Sequence, residues 1–315
     1  MDSATANILN TTTQAFYAAQ AQSFSATRQV GWQGWQRVLA HMNWCDVDSV
    51  RAQGDLSDVH FLDKHKKCVL DVACGNLRFK RYLEQEFTQL SWDYHAVDSC
   101  DALVEHVDGV AYTQRDIVSL LVARTFPGAG TGKEAAVSGS SGADRNAGGG
   151  ADVRAIEGTG ANSAARENTN GSAELLPLVN ADLCVCFGFF HHVPGMQARK
   201  NLLDALLRAT RSGGIVALSL WRFMDDAGLA QKARVSHAAA HEHFSEQGIF
   251  LNLDKGDYLL GWQKESNVFR YCHYFSDTDI NELIESASAC ATLVDRFRAD
   301  GRTGTLNEYL VFRVV

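Results

Sequence analysis

The feature that most constrains this chain is one segment with the pattern of a strand, a tight turn, a helix start and a second strand. An apolar run from Cys68 to Leu70 leads into the small-residue turn Asp71–Gly75, and a second apolar run closes on Asp98. Small residues at such a turn let backbone N–H groups at the helix N-terminus approach a ligand. Asp98 follows Gly75 at about the 20-residue spacing at which a carboxylate accepts from ribose hydroxyls in dinucleotide sites. The segment therefore predicts a nucleoside-binding βαβ unit.

Two cofactors compete for this unit. A dinucleotide site calls for three glycines in the pattern G-x-G-x-x-G, but Gly75 has Ala73 before it and Leu77 after it. A sulfonium nucleoside has no phosphate, so one glycine and a carboxylate such as Asp71 near its amino group suffice. An ordinary βα turn without any ligand is the third interpretation.

The same segment resembles motif I of the class I S-adenosylmethionine-dependent methyltransferases, D-x-G-C-G-x-G, with departures at Ala73 and Leu77. The resemblance implies S-adenosylmethionine as cofactor. Strand and helix patterns also alternate downstream, from the apolar run Asp182–Gly188 to a last pair of strands at 291–297 and 309–315. This alternation predicts an α/β fold with a mostly parallel sheet covered by helices on both faces. The resemblance makes it a Rossmann-like, seven-stranded sheet whose final hairpin contributes one antiparallel strand.

The predicted domain organisation follows from one abrupt change in amino-acid composition along the chain. Residues 123–175 are dominated by Gly, Ser, Ala and short polar residues, and we expect a disordered insertion because such a stretch buries too little apolar area to offset the entropy of ordering it. We expect an N-terminal helical cap over 1–60, the first part of a methyltransferase domain over 61–122, and its second part over 176–315 with a substrate lid near 225–275.

Charge and composition exclude several classes. A net charge of −8 and a pI of about 5.7 argue against a broad phosphate-binding surface. There is no apolar run of about 18 residues and no basic-then-apolar leader, so we expect a cytoplasmic protein without a membrane span. The eight cysteines include no C-x-x-C pair, and we expect reduced thiols and no metal site.

The residues expected at the cofactor lie where the predicted strands end, since ligands of such sheets bind at the carboxyl ends of the strands. Asp116 follows the third strand, where a carboxylate can accept a hydrogen bond from the adenine amino group. The alternative is that Asp116 is a plain loop carboxylate without a ligand. The pair His191-His192 has two interpretations, a metal ligand or general base and a structural role in orienting the loop. The expected cofactor contacts are Asp71, Ala73, Gly75, Asn76, Asp98, Ser99, Asp116, Ile117, Phe187 and Gly188.

Segments outside this core resemble the eukaryotic wobble-uridine carboxymethyl tRNA methyltransferases. The similar stretches are Phe24–Arg28 followed by Trp32 and Trp35, His191-His192 followed by Arg199-Lys200, 211–214 and 219–221, Asp257–Trp262, and Arg270–Phe275. The resemblance implies methyl transfer to a carboxylate on a tRNA wobble uridine, with a small zinc-binding activating partner. Gly34 and Gly261 depart from it, because the family pattern has proline at both positions.

The catalytic candidates are Arg28, Arg270, His273 and Tyr271. We expect the first three to hold a carboxylate, because a guanidinium grips one through two parallel hydrogen bonds, and Tyr271 with Trp262 to stack on a base. A packed surface pair or core aromatic is the alternative for each. Two other functions stay open, a methyltransferase of a small carboxylate or other metabolite and a non-catalytic cofactor-binding subunit. A narrow, closed cavity around Phe189, Trp221 and Tyr271 would favour a small substrate, and an occluded cleft the subunit. A basic patch at the cleft mouth would favour tRNA, and its members would be Arg28, Lys64, Lys66, Lys67, Arg78, Lys80 and Arg81.

Overall fold

The computed structural model describes residues 1–42, 66–88, 90–104, 107–126, 174–263, 265 and 267–315. The expected insertion over 123–175 falls mostly outside the described residues, as does the part of the helical cap after residue 42. The disorder expected for residues 123–175 therefore stays a prediction.

A seven-stranded sheet forms the centre of the fold. Its strands are β1 (Lys67–Val72), β2 (Trp92–Asp98), β3 (Val110–Gln114), β4 (Ala181–Cys186), β5 (Thr210–Trp221), β8 (Ala291–Ala299) and β9 (Asn307–Val314). Their order is β3-β2-β1-β4-β5-β9-β8. The first five strands pair in parallel, whereas β9 runs antiparallel between β5 and β8. The predicted Rossmann-like fold, a seven-stranded and mostly parallel sheet with its antiparallel strand in the final hairpin, is confirmed.

Helices cover both faces of this sheet. They are α1 (Ser3–Ala26), α2 (Gly34–Leu39), α3 (Arg78–Glu86), α4 (Ile117–Thr125), α5 (Met196–Arg208), α6 (Ala227–Glu246) and α7 (Asp277–Ala287). The cores on the two faces are separate clusters, and alternate residues of β1 enter one or the other: Leu70 packs on one face and Val69 on the opposite face. This alternation explains the continuous apolar run, because a central parallel strand is buried on both sides.

The strand order reverses between β1 and β4, which are neighbours in the sheet although β2 and β3 lie between them in the chain. Chains leaving the two strands diverge to opposite sides at this point and leave a crevice at their carboxyl ends, the usual ligand position in open α/β sheets. The sheet order therefore places the Asp71–Gly75 turn at the edge of this crevice.

A separate two-stranded antiparallel sheet lies in the region predicted to be a substrate lid. It consists of β6 (Asp257–Gly261) and β7 (Phe269–His273). One face packs on α1 and α6 through a small core that includes Leu9, Phe244 and Leu259. The hairpin thus joins the N-terminal helix to the rest of the chain, and its role as a lid remains a prediction.

No helix of the described segments combines the length and the apolar character that a membrane-spanning helix needs.

Gly34, one of the two departures from the family pattern, lies in a space that excludes any side chain. A Cβ at this position would lie 2.4 Å from the Tyr309 ring, which is fully buried and stacked on Phe297. The Gly34 N–H donates to the Asp300 carboxylate at 3.1 Å, so a proline would also remove a donor. The glycine is therefore required by packing and by this hydrogen bond.

We expect Gly34→Ala to lower the free energy of unfolding by about 1–3 kcal/mol, because the added methyl group overpacks a locked aromatic ring. Urea unfolding followed by circular dichroism measures this change. An unchanged denaturation midpoint would contradict the packing described for Tyr309.

Candidate active site

The turn after β1 has an unusual backbone. Ala73, Gly75 and Leu77 all have positive φ, at 60°, 53° and 57°, a region that costs a non-glycine residue about 1 kcal/mol or more. The Val97 carbonyl accepts from Ala73 N at 2.7 Å and from Cys74 N at 3.2 Å, which ties the turn to the end of β2. A Cβ on Gly75 would meet nothing within 4 Å. The glycine faces open space, which leaves its backbone accessible to a ligand.

Asp98, the last residue of β2, lies beside this turn. Its Oδ2 accepts from Gly75 N and its Oδ1 from Cys100 N, both at 2.9 Å. The side chain is buried, and burial raises the pKa of its carboxyl despite the backbone donors. The carboxylate therefore joins the turn after β1 to the loop after β2.

Asp71, at the end of β1, is the second buried carboxyl of the crevice. Its Oδ2 accepts from the Tyr94 hydroxyl at 2.6 Å. Burial raises the pKa of Asp71 to about 7, and the Tyr94 hydrogen bond opposes this shift only in part. The group is therefore near its titration midpoint at neutral pH and lies where a cationic amino group would favour its ionised form.

Asp116 caps the N-terminus of α4 and also holds α1. Its carboxylate accepts from Ser119 N at 3.0 Å, from the Asn10 amide at 3.2 Å and from the Gln14 amide at 2.5 Å. The Ser119 hydroxyl donates to it as well. Asp116 therefore shapes its own loop and also borders the cavity described below, and its contact with an adenine stays a prediction.

The loop after β4 supplies the opposite wall. Gly188 has φ 73°, and its N–H donates to the Ser219 hydroxyl at 2.9 Å. A Cβ there would lie 3.1 Å from the Trp32 ring, so glycine allows this aromatic side chain to approach. Phe187 stacks on Trp35 with ring centroids 5.7 Å apart.

One cavity of about 640 Å³ joins these elements. Every residue expected at the cofactor lines it: Asp71, Ala73, Gly75, Asn76, Asp98, Ser99, Asp116, Ile117, Phe187 and Gly188. The N-terminal helix α1 forms its cover, through side chains such as Asn10, Gln14 and Tyr17. The structure thus brings residues from five separate parts of the chain into a single volume.

Arg270 lines the same cavity as a buried cation. Its guanidinium carbon lies 4.7 Å from the Phe16 ring centroid and 5.3 Å from that of Trp262. No described carboxylate forms an ion pair with it, and its buried Nη1 has no hydrogen-bond partner in the described segments. A buried charge is normally paired, so this guanidinium marks a place for an anion.

Arg28 provides a second cation at the cavity wall. Its guanidinium carbon lies 3.6 Å above the Phe24 ring, and its Nη1 donates to the Thr27 hydroxyl at 2.7 Å. Burial lowers the pKa of Arg28 to about 10, and Arg270 contributes in the same direction. The group remains charged at neutral pH, so two guanidiniums border one end of the cavity.

Tyr271 and His273 correct the sequence prediction, because neither lines the cavity. The Tyr271 hydroxyl donates to Asp257 at 2.7 Å and accepts from Arg199 at 2.8 Å, and His273 Nδ1 lies 2.7 Å from the same Asp257 oxygen. Consecutive side chains of a strand point to opposite sides, so the neighbours of Arg270 face a buried network behind β7. Both residues hold β7 in place and do not contact a ligand in the cavity.

Trp262 lies outside the cavity lining as well. Its indole N–H donates to the Ser23 hydroxyl at 3.1 Å, and its ring packs against Phe16 and Phe24. It supports the two arginines from behind, a role that does not include stacking on a base.

Several cavity residues have no signal in the sequence. Tyr17 and Asp300 line the cavity, yet neither belongs to a recognisable motif. Asp300 is buried with φ 68° and accepts from Asn307 and Tyr309. His191 and His192 also line the cavity, and the sequence marked them by their adjacency and by the family resemblance.

The basic patch that would favour tRNA is assembled only in part among its described members. Arg28 and Arg78 line the cavity. Lys67 lies at the start of β1, at the end of the sheet opposite the cavity, and Lys80 is buried and pairs with Glu84. Arg81 donates to the Asn76 carbonyl at 2.6 Å, which is a local contact.

Comparisons with known proteins give the following. No family model matches the sequence, and no curated protein matches it. Among solved structures, an S-adenosylmethionine-dependent methyltransferase from Methanosarcina mazei is 10% identical and covers 82% of this chain and 96% of its own, with a TM-score of 0.44. Magnesium protoporphyrin IX methyltransferase from Synechocystis PCC 6803 is 10% identical over 96% and 99% of the chains, with a TM-score of 0.40. A complex of the Haloferax volcanii Trm112 methyltransferase activator with a methyltransferase gives 9% identity, 96% of both chains and a TM-score of 0.39.

Proposed function

We propose that this chain is an S-adenosylmethionine-dependent methyltransferase whose acceptor is a small-molecule carboxylate. The observation that carries the cofactor assignment is that all ten residues expected to contact it line one cavity at the carboxyl ends of β1, β2 and β4. The open space beside Gly75 and the two buried carboxyls, Asp71 and Asp98, fit a nucleoside that carries an amino group.

When bound, S-adenosylmethionine supplies an electrophilic methyl group on a sulfonium. In the proposal, Asp98 accepts hydrogen bonds from the ribose hydroxyls and Asp71 pairs with the amino group. Asp116 and the start of α4 border the adenine. Phe187 and its aromatic neighbours keep water out of the part of the cavity where the methyl group would lie.

Arg270 and Arg28 support an anionic acceptor, because together they present two guanidiniums without a described carboxylate partner. A carboxylate is ionised at neutral pH and needs no base to act as a nucleophile. The cavity imidazoles fit this, since burial lowers the pKa of His192 to about 3 and that of His191 well below its usual value. A site with two such weak bases suits an acceptor that arrives already ionised.

The choice of a small acceptor over a tRNA wobble uridine rests on the surface. Of the basic residues that would favour tRNA, Lys80 and Arg81 make local contacts and Lys67 lies at the opposite end of the sheet. The net charge is −8, and α1 covers the cavity. Methylation of a tRNA carboxymethyl group remains the second candidate, supported by the sequence resemblance, and a small activating subunit belongs with it. The non-catalytic subunit is disfavoured, because a cavity of about 640 Å³ is not an occluded cleft.

Calorimetric titration of the purified protein with S-adenosylmethionine and with NADH tests the cofactor. We expect micromolar binding of S-adenosylmethionine and none of NADH. Absence of S-adenosylmethionine binding would refute the proposal. Repeating the titration with bulk tRNA present separates the acceptors, because a tRNA-dependent change in cofactor affinity would favour the wobble-uridine alternative.

The affinity for S-adenosylmethionine is expected to rise with pH between about 6 and 8. In the free protein burial raises the pKa of Asp71 to about 7, so the carboxyl is mostly protonated below that pH, and a cationic ligand binds the ionised form. Below pH 7 the affinity should fall by up to about tenfold per pH unit.

Calorimetry at several pH values measures this dependence, with Asp71→Asn as the matched variant that keeps an acceptor for Tyr94. The variant should bind S-adenosylmethionine more weakly than the wild type at pH 8, and its affinity should change less with pH. The buried Asp98, whose pKa is also raised, would account for any dependence that remains. Identical profiles for both proteins would rule out Asp71 as the titrating group.

A further inference from the structure

A chain of hydrogen bonds connects α1 to β7 at the end of the cavity that holds the two arginines. The Tyr17 hydroxyl lies 2.8 Å from Nε2 of His192, and Nδ1 of His192 lies 2.6 Å from the backbone carbonyl of Tyr271. Tyr17 and His192 both line the cavity. Neither residue has a role in the cofactor contacts described above.

The backbone carbonyl determines the direction of every bond in this chain. A carbonyl only accepts, so Nδ1 of His192 carries the proton and donates it. The imidazole is neutral, because burial and the nearby Arg270 lower the pKa of His192 to about 3. Nε2 is therefore an acceptor, and the Tyr17 hydroxyl must donate its only proton to it.

Because the Tyr17 hydroxyl donates its only proton to His192, it can only accept a hydrogen bond from a ligand. Its oxygen retains lone pairs, the residue lines the cavity, and no described residue donates a hydrogen bond to that oxygen. Burial raises the pKa of Tyr17 to about 12, so the group stays a neutral phenol at working pH. The aromatic rings of Phe16 and Phe24 pack edge-on against its ring and restrict its movement. This end of the cavity thus combines guanidinium donors with one fixed, neutral acceptor.

We infer that Tyr17 determines acceptor specificity by selecting acids that carry a hydroxyl or N–H donor close to the carboxylate. This inference rests on the proposed function, because the carboxylate is placed by the arginines. The carboxylate pairs with Arg270 and Arg28, and the neighbouring donor bonds to the Tyr17 oxygen. An acid without that donor leaves the Tyr17 oxygen desolvated and unpaired when it binds, which weakens its affinity relative to the hydroxylated acid.

Binding measurements with paired acids test this inference. The protein is saturated with S-adenosylhomocysteine and titrated calorimetrically with benzoate against 2-hydroxybenzoate, phenylacetate against mandelate, and short aliphatic acids against their 2-hydroxy counterparts. We expect the hydroxylated member to bind about 10- to 100-fold more tightly in at least one pair. In Tyr17→Phe that ratio should fall to near one, while the affinity for S-adenosylhomocysteine stays unchanged.

Tyr82→Phe is the matched control, since Tyr82 packs against Trp35 and does not line the cavity. It should keep the wild-type ratio. His192→Phe provides a second variant, because it frees the Tyr17 proton and lets the hydroxyl donate to an anion. That variant should lose the preference for hydroxylated acids and keep or gain affinity for the plain ones.

The outcomes separate this inference from the proposed function. Equal binding of the paired acids, or a Tyr17→Phe variant that weakens both members equally, overturns the inference and leaves the anion site intact. Failure of all the acids to bind, with S-adenosylhomocysteine bound, overturns the acceptor proposal together with the inference. Failure of S-adenosylhomocysteine to bind overturns the cofactor assignment.

Discussion

Asp98→Ala is expected to lower the affinity for S-adenosylmethionine by about 100-fold or more. The carboxylate would lose its hydrogen bonds to two ribose hydroxyls, and bonds to a charged group are each worth about 1.5–3 kcal/mol. The substitution also removes the acceptor for Gly75 N, so the turn after β1 loses a contact that holds it against β2. Calorimetric titration of the variant measures the effect.

Asp93→Ala is the control on the same strand. Asp93 lies on β2 at the end remote from the cavity, and its side chain is largely exposed. The Asp93→Ala variant should bind S-adenosylmethionine with the affinity of the wild type. A folded Asp98→Ala protein with unchanged affinity would remove the ribose contact from the proposal, and circular dichroism of both variants establishes that they are folded.

Arg270→Ala is expected to reduce turnover of a carboxylate acceptor by about 10³-fold while the affinity for S-adenosylmethionine stays within about twofold. The guanidinium is buried between Phe16 and Trp262, and no described carboxylate pairs with it. Removing one member of a buried charge pair costs about 2–5 kcal/mol, which corresponds to a loss of this size. The effect should appear as a higher KM and a lower kcat, because the acceptor is both bound and oriented by this group.

Two further variants test whether the loss of turnover is specific to the Arg270 guanidinium. Arg270→Lys keeps the charge but not the planar pair of donors, so it should recover only part of the activity. Arg208→Ala removes an exposed arginine that pairs with Asp204 on α5 and should change nothing. Equal loss of cofactor affinity in the Asp98 and Arg270 variants would contradict the separation of the cavity into a cofactor half and an acceptor half.

The residues that line the half of the cavity proposed for the cofactor could be predicted because their determinants are mostly local. The turn Asp71–Gly75 needs small residues and a left-handed glycine, and the ends of parallel strands meet at one edge of the sheet. The turn and each strand end can be recognised within a short stretch, and the spacing of about 20 residues relates Asp98 to Gly75. The prediction for Asp98 and Gly188 therefore required no knowledge of how distant segments pack.

The acceptor half could be predicted only in part. Arg28 and Arg270 line the cavity as expected, whereas Tyr271 and His273 face the Asp257 network. The alternation of side chains along β7 would have placed them on the side opposite Arg270, had the stretch been treated as a strand and not as a motif. Tyr17 could not be found in this way, because its role depends on where α1 lies over the sheet.

The amino-acid sequence by itself determined the class of fold and the turn after β1, because strand and helix periodicity and turn chemistry are set by neighbouring residues. Only the tertiary structure decided which charges stay unpaired, in what direction the Tyr17 and His192 protons point, and which side of β7 faces the cavity. These properties arise from contacts between segments far apart in the chain, where burial and the position of one backbone carbonyl set the chemistry of a side chain.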